Sequence, residues 1–425
     1  MKVLVVGNGG REHALAWKLL QSHQIEQVVC VPGNGGTATM ERCQNLPLLV
    51  DDFAGISEYA LKNGISLVVV GPEVPLAKGI TDYLQKQGLM VFGPGKMGAQ
   101  IEASKAWAKA LMEEAGIPTA KAAVFTEGKA AKSYVKAQGI PIVVKADGLA
   151  AGKGVTVAQS LEQAERAIDA IFGGQFGNAG NFVVIEECLQ GEEVSVLALT
   201  DGLTIRPLLP AQDHKRIGEG DTGENTGGMG AYAPAPIATP ELMARVQTEV
   251  LERAIAILKS RNIDYRGVLY AGLMITPTGD FKVLEFNCRF GDPETQVILP
   301  LLETPLEDLI LACVQQRLAA MPPIAWKKGA SASVVAASGG YPGEYEKAKV
   351  INGIEQAQAA GTTVFHAGTK LNELQQIVTD GGRVLNVTAV GDDFTQAIAQ
   401  AYAGIQQIEF SGMYYRRDIG YRVLS

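Results

Sequence analysis

The sequence predicts a multidomain protein of mixed α/β and α+β class, and three observations support this prediction. At about 150 residues per domain, 425 residues suffice for about three domains. The first hundred residues alternate short apolar runs with amphipathic helices, which is typical of a parallel α/β sheet. After about residue 329 the pattern changes to short strands with one helix, which predicts a small α+β domain. We place the domains at residues 1–102, 103–327 and 328–425.

Composition and charge exclude several classes of protein. Hydrophobic residues make up 47%, enough for packed cores, and the net charge is −8 without a basic stretch, so no nucleic-acid partner is expected. No apolar run approaches ~18 residues, and the chain enters a strand at once, so we expect neither a membrane span nor a leader peptide. Five cysteines without a CxxC pair and four histidines without zinc spacing favour reduced thiols in a cytoplasmic protein.

The N-terminal domain is predicted from apolar runs that read as buried strands. The runs lie at residues 3–6, 28–31, 67–70 and 90–92, with a weaker one at 46–50. All but the weak run lead into glycine-bearing loops, which would gather at the carboxyl edge of one parallel sheet. That edge is where open α/β sheets bind ligands, so we expect a ligand there.

The first of these loops departs from the dinucleotide fingerprint. Glu12 replaces the third glycine of G-x-G-x-x-G, and no acidic residue ends the second strand. A tight turn without a ligand is one interpretation. We favour a phosphate or similar anion at the N-terminus of the first helix, held by Gly9, Gly10 and Arg11. Glu73, in the third loop, is a candidate acceptor for ribose hydroxyls.

The central region reads as helices and strands around two glycine-rich segments. Helices are predicted at residues 101–115, 161–172 and 242–259, and strands at 142–145, 154–157, 182–188, 268–276 and 281–287. The segment 148–154 is not a P-loop, because it is one residue short and Gly154 stands where Ser or Thr should be. It reads either as a solvated hairpin tip or as a flexible cover for a triphosphate, with Lys145 supplying charge.

The clearest chemical signal lies on the last of these strands. Glu285 and Asn287 are two residues apart, so both oxygen donors face the same way and could share a magnesium ion. Arg289 follows as a bidentate donor for a carboxylate or phosphate, with Asp292 beside it. An exposed edge strand with a salt-bridged arginine is the alternative.

An irregular stretch is predicted from about residue 212 to 236. It mixes donors, acceptors and glycines, with Asp213 and Lys215 near its start. A disordered solvated loop is one interpretation, but a loop this long inside a domain is normally functional, and its donors suit phosphates.

Together these motifs resemble a known family. The ordered series of the 142–145 strand, the glycine-rich hairpin, the 186–189 strand end, the 191–193 turn and the Glu-x-Asn strand resembles the ATP-grasp superfamily. More closely, the chain is similar to the glycinamide ribonucleotide synthetase (phosphoribosylamine–glycine ligase) family. The motifs of this closer resemblance run almost end to end: Gly7-Asn-Gly-Gly-Arg-Glu-His-Ala14, Pro32-Gly-Asn-Gly-Gly-Thr37, Gly71-Pro-Glu-Val-Pro-Leu76, Lys145-Ala-Asp-Gly-Leu-Ala-Ala-Gly-Lys-Gly154, residues 213–232, Asn287-Cys-Arg-Phe-Gly-Asp-Pro-Glu294 and Tyr415-Arg-Arg-Asp-Ile-Gly420.

The resemblance implies a fold, a reaction and a set of site residues. It implies a central ATP-grasp domain with a mobile lid at about residues 120–190. The implied reaction joins glycine to 5-phosphoribosylamine with ATP, through glycyl phosphate, in purine biosynthesis. Lys145 and Arg289 would be catalytic, and Glu285 and Asn287 would bind Mg²⁺ or Mn²⁺. The ATP-binding set would be Lys105, Lys145, Gly152, Lys153, Gly154, Glu186, Glu187, Leu189 and Glu193, and the substrate-binding set Gly9, Gly10, Arg11, Glu73, Asp213, Lys215, Arg289 and Asp292.

Three other functions stay open at this point. Another ATP-grasp enzyme of purine synthesis, a carboxylase or formyltransferase, would use a different carboxylate. A nucleotide-binding dehydrogenase would need the missing acidic residue after the second strand. A non-catalytic regulator would bind ATP without turnover. We expect small-molecule substrates and a monomer or small homo-oligomer.

Overall fold

The computed structural model describes residues 1–149, 154–175 and 177–424. Its N-terminal part is a five-stranded parallel sheet in the order β3-β2-β1-β4-β5. The strands are β1 (Lys2–Gly7), β2 (Gln27–Pro32), β3 (Cys43–Asn45), β4 (Ile65–Val70) and β5 (Val91–Phe92). The helices are α1 (Gly10–Leu19), α2 (Gly35–Thr39), α3 (Phe53–Lys62), α4 (Glu73–Lys78), α5 (Ile80–Lys86) and α6 (Gln100–Ala103).

The strand predicted at residues 46–50 is wrong, because the third strand is β3, which ends at Asn45. The Asn45 side chain donates to the carbonyl of Asn34 (2.8 Å) and accepts from the Thr37 hydroxyl (2.7 Å), which holds the chain against the second glycine loop. Residues 46–50 then cross the core edge as a loop. Leu46, Leu48 and Val50 pack against the core although they are not in a strand, and Leu49 is exposed, so apolar content alone was misleading.

A second, antiparallel sheet forms the predicted lid, in the order β6-β9-β7-β8. Helices α8 and α9 pack on it and share a separate small core with it. The elements from residue 105 onward are α7 (Lys105–Glu114), β6 (Ala122–Phe125), α8 (Gly128–Gln138), β7 (Ile142–Ala146), β8 (Val155–Ala158), α9 (Leu161–Phe172) and β9 (Val183–Glu187). A short 3-10 turn, Gly177–Gly180, precedes β9.

The single helix predicted at residues 101–115 is two helices, α6 and α7. Ser104 between them has extended backbone (φ −135°, ψ 112°), and its hydroxyl accepts from the Trp107 amide (3.1 Å) as the N-cap of α7. A serine can end one helix and begin the next because its side chain replaces a backbone hydrogen-bond partner. The break starts α7 at Lys105.

The central sheet is antiparallel, in the order β11-β10-β16-β17. The elements between residues 192 and 314 are β10 (Glu192–Thr200), β11 (Ile205–Pro207), β12 (Gln212–Asp213), β13 (Arg216–Gly218), β14 (Thr222–Asn225), β15 (Gly230–Ala233), α10 (Pro240–Val246), α11 (Glu252–Ser260), β16 (Gly267–Ile275), β17 (Phe281–Asn287), α12 (Thr295–Ile298) and α13 (Leu306–Val314). A π-helical turn, Gln247–Leu251, joins α10 to α11 into the one long helix that the sequence predicts.

The C-terminal sheet has the order β12-β15-β18-β22-β19, with antiparallel pairing. Its elements are β18 (Ala330–Ala337), α14 (Ile354–Ala359), β19 (Thr363–His366), β20 (Thr369–Leu371), β21 (Ile377–Thr379), β22 (Arg383–Gly391) and α15 (Phe394–Ile405). Two helices therefore stand where one was expected.

The stretch predicted as irregular between residues 212 and 236 is wrong in part. It supplies β12 and β15 to the C-terminal sheet, and β13 and β14 pair with each other as a hairpin. These strands are only two to four residues long and three of them contain a glycine, so the sequence shows no alternating apolar pattern there. The central and C-terminal parts of the chain thus share one sheet.

The N-terminal and central sheets share a core, which sets the geometry of the site. Leu4 and Val6 of β1 belong to the same buried cluster as Leu111 of α7, Val196 of β10 and Val283 of β17. The loops that follow β1 and β4 therefore face the segment that follows β17. Among the described residues, no helix is both long and apolar enough to cross a membrane.

Candidate active site

One cavity of about 590 Å³ gathers side chains from all of these parts. Its walls come from the first turns of α1 and α4, from α6 and α7, from the lid strands, from β17 with its following turn, and from the C-terminal part of the chain. The predicted site residues that line it are Arg11, Glu73, Lys105, Lys145, Gly154, Glu186, Asp213, Lys215, Glu285, Asn287, Arg289 and Asp292. Residues far apart in sequence therefore meet in one cavity.

The other predicted residues that the structure describes lie outside the cavity wall. Glu187 accepts from the Lys121 amide (3.0 Å) and pairs with Lys282, which joins the lid to β17. Glu193 pairs with Lys215 and so stands behind the wall. Gly9, Gly10 and Leu189 are also absent from the lining, and Gly152 and Lys153 lie outside the described residues.

A buried carboxylate shared by two lysines lies where the lid meets α7. Glu186 of β9, 2% exposed, contacts Lys145 of β7 (Nζ–Oε2 2.9 Å) and Lys109 of α7 (Nζ–Oε1 3.1 Å). Lys145 also donates to the Leu284 carbonyl on β17 (3.2 Å). Burial lowers the pKa of Lys109, and the Glu186 carboxylate opposes that shift. Lys145 thus stands between the lid and β17, with its ammonium in the cavity.

Lys105 enters the cavity at the N-terminus of α7. Its ammonium donates to the Gly148 carbonyl (3.1 Å), and the Asp147 carboxylate accepts from the Ala106 amide (2.7 Å) and the Ser104 hydroxyl (3.1 Å). An aspartate at a helix N-terminus satisfies free amides and complements the helix dipole. The hairpin base, Asp147 and Gly148, is therefore fixed to α7.

Glu285 and Asn287 lie on one face of β17, and both line the cavity as predicted. Burial raises the pKa of the Glu285 carboxyl, but the ammonium groups of Lys215 and Lys145 outweigh burial and hold that pKa below its usual value. A carboxylate and an amide oxygen suit magnesium, which takes one or two protein ligands and otherwise keeps water or phosphate. The donor set fits such an ion, and the described residues contain no group of three or more His, Cys, Asp or Glu that could form a protein cage.

Arg289 is held by two carboxylates from the N-terminal part of the chain. Its Nε contacts Glu73 Oε2 (3.2 Å) and its Nη2 donates to Glu102 Oε1 (2.8 Å) and to Asn287 Oδ1 (3.3 Å). Glu102 also accepts from the Cys288 amide (2.8 Å). Burial lowers the pKa of Arg289, but these carboxylates raise it well above its usual value. Arg289 is thus a fixed cation at the end of β17.

A carboxylate already lies at the N-terminus of α1, where we predicted an anion. The Arg11 amide donates to Asp292 Oδ2 (3.2 Å), and the Gly9 amide donates to Glu12 Oε2 (2.6 Å). The Arg11 side chain pairs with Glu12 and donates to the Phe290 carbonyl (3.1 Å), so it also braces the loop. A ligand phosphate at this helix terminus would have to displace Asp292.

The last group of site residues surrounds the start of the 213–228 segment. Lys215 pairs with Glu193, and Glu294 accepts hydroxyl hydrogen bonds from Tyr270 (2.6 Å) and Ser195 (3.0 Å). Asp213 is 8% exposed, and burial raises its pKa to about 7, with Glu294 and Glu193 adding to the shift and Lys215 opposing it. Asp213 is thus the cavity carboxylate that titrates near neutrality.

Sequence reasoning missed several residues of the wall. The polar and charged ones among them include Glu102, Lys109, Glu294, Tyr341 and Arg383. Lys109 had a signal, because it lies four residues after Lys105 and so on the same helix face. Tyr341 and Arg383 come from the C-terminal part of the chain, and no motif near them marked a site.

Comparison with known proteins shows the family to which this chain belongs. Models of phosphoribosylglycinamide synthetase match most of the chain: the N domain at residues 1–102, the ATP-grasp (A) domain at 103–295 and the C domain at 331–422. The chain belongs to the phosphoribosylglycinamide synthetase family. The predicted resemblance and the predicted ATP-grasp fold are thereby confirmed, and ATP-grasp proteins use ATP with a divalent metal such as magnesium.

Two curated members of the family and one solved structure show how similar the chain is to its relatives. The phosphoribosylamine–glycine ligase of Nostoc sp. (strain PCC 7120) is 84% identical, and that of Synechocystis sp. (strain PCC 6803) is 57% identical, each covering 100% of both chains. The crystal structure of phosphoribosylamine–glycine ligase from Thermotoga maritima superposes with a TM-score of 0.85 at 34% identity, covering 99% of this chain and 100% of that one.

The raised pKa of Asp213 predicts how stability depends on pH. An unfolded aspartate titrates at ~3.9, so the folded chain holds a proton that the unfolded chain has lost. The contribution of Asp213 to stability is complete below the pKa of the unfolded chain and is lost as pH rises through the folded pKa of about 7. An asparagine has no proton to lose, so the melting temperature of Asp213→Asn minus that of wild type should rise between about pH 4 and 7 and level off above about 8. The exposed Asp264→Asn is the matched control, and a pH-independent difference for Asp213→Asn would contradict the assignment.

Proposed function

We propose that the chain joins glycine to 5-phosphoribosylamine with ATP, giving glycinamide ribonucleotide, ADP and phosphate in de novo purine biosynthesis, through glycyl phosphate. The observation that carries this is the cavity itself, where Lys105, Lys145 and Arg289 converge with Glu285. Its relatives carry the name of this activity. A volume of about 590 Å³ is within the usual range of small-molecule sites.

The first half-reaction activates the glycine carboxylate. A carboxylate is a poor acyl donor, so its oxygen must first take the terminal phosphoryl group of ATP. Such a transfer needs little covalent chemistry from a protein and depends on fixed positive charge. Lys145 and Lys105 supply that charge from β7 and α7, which meet at the base of the hairpin. No nucleophilic side chain is required.

Glu285 and Asn287 would hold the divalent ion, which we propose to be Mg²⁺ or Mn²⁺. When bound, such an ion neutralises charge on phosphate oxygens. The two residues share one face of β17, and Lys145 reaches the same strand through the Leu284 carbonyl. The ion site and the phosphate-binding lysine would therefore be held in register by a single strand.

In the second half-reaction the amine of phosphoribosylamine attacks the acyl phosphate and releases phosphate. Arg289 is placed to bind a carboxylate or phosphate group, and Glu73 beside it is the candidate partner for ribose hydroxyls. Asp213, Lys215, Arg11 and Asp292 complete this end of the cavity. An acyl phosphate hydrolyses in water, so we propose that the lid at residues 120–190 closes during the reaction.

The remaining assignments follow from the same proposal. ATP would lie against the end of β9, with Glu186, Glu187, Leu189 and Glu193 around the nucleoside and the hairpin tip over the phosphates. We propose domain boundaries after residues 102 and 327, a cytoplasmic location, and a monomer or small homo-oligomer. All five cysteines are free thiols, which suits a reducing compartment.

The deciding experiment is an ADP-release assay with freshly made phosphoribosylamine. ADP should form only when glycine, phosphoribosylamine and a magnesium salt are all present, and each substrate is omitted in turn as a control. Replacing glycine by formate or bicarbonate should abolish release. Release that depends on formate or bicarbonate would instead identify a formyltransferase or carboxylase, and ATP binding without release would identify a regulator.

The ion site is tested by two single substitutions on β17. Glu285→Gln and Asn287→Ala should each abolish turnover and leave the melting temperature near that of wild type, because losing an oxygen ligand costs several kcal/mol of transition-state stabilisation. The control is Asp280→Asn, an exposed carboxylate at the turn before β17. Near-normal activity of either variant at saturating magnesium would remove that residue from the ion site.

The two ends of the cavity should respond differently to substitution. Lys145→Met should lower kcat by ~10² or more, since it removes charge from the transferring group. Glu73→Ala should raise KM for phosphoribosylamine and leave KM for ATP nearly unchanged, because Glu73 lies beside Arg289, at the end of the cavity that we assign to phosphoribosylamine. Each variant serves as the control for the other in the same steady-state assay. If Glu73→Ala weakened ATP instead, our assignment of the two ends would be wrong.

A further inference from the structure

The Tyr415–Gly420 motif is part of the family resemblance, yet none of its residues, all of which the structure describes, lines the cavity. It belongs to a C-terminal strap, defined here as residues 414–422, which follows α15. The strap lies against the cavity loop, defined here as residues 213–228, which contains the β13–β14 hairpin. The contact explains why a motif remote from the substrates can still matter.

Arg416 forms the centre of this contact and is 0% exposed. Its Nε and Nη2 donate to both oxygens of Asp418 (2.8 and 2.7 Å), and its Nη1 donates to Asp221 Oδ1 (2.8 Å) and to the Arg216 carbonyl (3.0 Å). A guanidinium has the planar fork that makes such multiple bonds possible. One buried side chain thus joins the strap to the first strand of the hairpin and to its turn.

Further hydrogen bonds run between the same two segments. The Gly420 amide donates to His214 Nε2 (3.0 Å), the Tyr414 hydroxyl donates to the Ile217 carbonyl (2.9 Å), and the Gly220 amide donates to Asp418 Oδ2 (2.8 Å). The Tyr421 hydroxyl donates to Asp221 Oδ2 (2.8 Å), and Arg422 pairs with the same oxygen. The strap therefore contacts the cavity loop along its length from His214 to the hairpin turn at Asp221.

The turn of the hairpin has a backbone that needs this support. Asp221 has φ +55°, in the left-handed region that residues other than glycine seldom adopt. Its carboxylate is the group that Arg416, Tyr421 and Arg422 hold. A strained turn persists where its surroundings over-determine it.

The opposite side of the loop lines the cavity. Asp213 and Lys215 line the cavity before the hairpin, and Asn225 at the end of β14 lines it together with Thr226 and Gly227, which follow. The Thr226 amide donates to the Lys215 carbonyl (2.7 Å), which links the two runs. A shift of the hairpin would therefore move both runs of cavity-lining groups together.

We propose that Arg416 is a positioning residue, which fixes the cavity loop so that Asp213 and Lys215 hold their reactive geometry. The inference rests on the ligase activity proposed above, and it assigns a task to the strap, which lies outside the cavity wall. Arg416 acts on the position of the cavity loop rather than on the stability of the whole chain. This follows because the central sheet, including β17, belongs to a different core from the strap and the hairpin.

The test compares two matched substitutions at neighbouring arginines. Arg416→Lys keeps the charge but loses the fork, and Arg417→Lys makes the same change at an exposed position. For Arg416→Lys we expect amide hydrogen exchange in peptides covering residues 213–229 to rise ~10-fold or more, with peptides of β16 and β17 unchanged. We expect kcat/KM for glycine-dependent ADP release to fall by ~10², as displacement of a site from a distance can do. Arg417→Lys should match wild type in both measurements.

The second variant is Asp221→Asn, which removes the carboxylate that pairs with Arg416. It decides the outcome if Arg416→Lys fails to fold. Exchange that rises equally in the loop and in β16–β17 would overturn the proposal, because Arg416 would then act on global stability. Faster loop exchange with kcat/KM within about twofold of wild type would also overturn it, because displacement of the loop would then not reach the reaction. If the wild-type protein showed no glycine-dependent ADP release, the proposed ligase activity would be refuted. The exchange data would still show whether Arg416 holds the cavity loop in place.

Discussion

Charge buried around one cavity is the physical constraint on which this structure depends. The Glu186 carboxylate is 2% exposed, and water cannot stabilise it there, so it must be paired. Its partners Lys109 and Lys145 come from α7 and β7, and the three groups stand together only when the lid sheet has one orientation on the helix. Removing one partner from such a set leaves an unpaired buried charge at a cost of ~3–5 kcal/mol. The pairing thus specifies the docking of the lid as well as the charge of the site.

The same constraint acts at the other end of the cavity through the residues that follow β17. Arg289 needs Glu73 and Glu102 from the N-terminal part of the chain. The Asp292 carboxylate accepts a hydrogen bond from the Arg11 amide, and its Oδ1 pairs with Nη2 of Arg383 on β22 (3.3 Å). One strand and its turn therefore meet compensating groups from helices of the N-terminal part and from the C-terminal sheet. This is why a short continuous run of the chain can serve as the common wall of a site built from three domains.

The sequence was sufficient for the family, the domain order and most of the charged residues of the cavity wall, because those depend on patterns that are local in the chain. The i, i+2 spacing of Glu285 and Asn287 places both on one face whatever surrounds the strand. Features that depend on distant partners could not be predicted. The break at Ser104 is stabilised by Asp147 from the lid, and β15 is a strand because β18 lies beside it. The carboxylate of Asp292 at the α1 terminus likewise follows from a contact with a residue 281 positions away in the chain.

Pairing within the cavity also bears on which ligands it can select. An anion that approaches Lys145 or Arg289 meets a cation that a fixed carboxylate already neutralises in part, so a single negative charge gains little. A polyphosphate gains more, because it reaches several of these cations together and adds its own hydrogen-bond acceptors. Asp292 at the helix terminus repels any anion that does not displace it. The carboxylates that pair with these cations would therefore favour multiply charged anions over singly charged ones, so the acidic members of the wall bear on selectivity as directly as the basic ones.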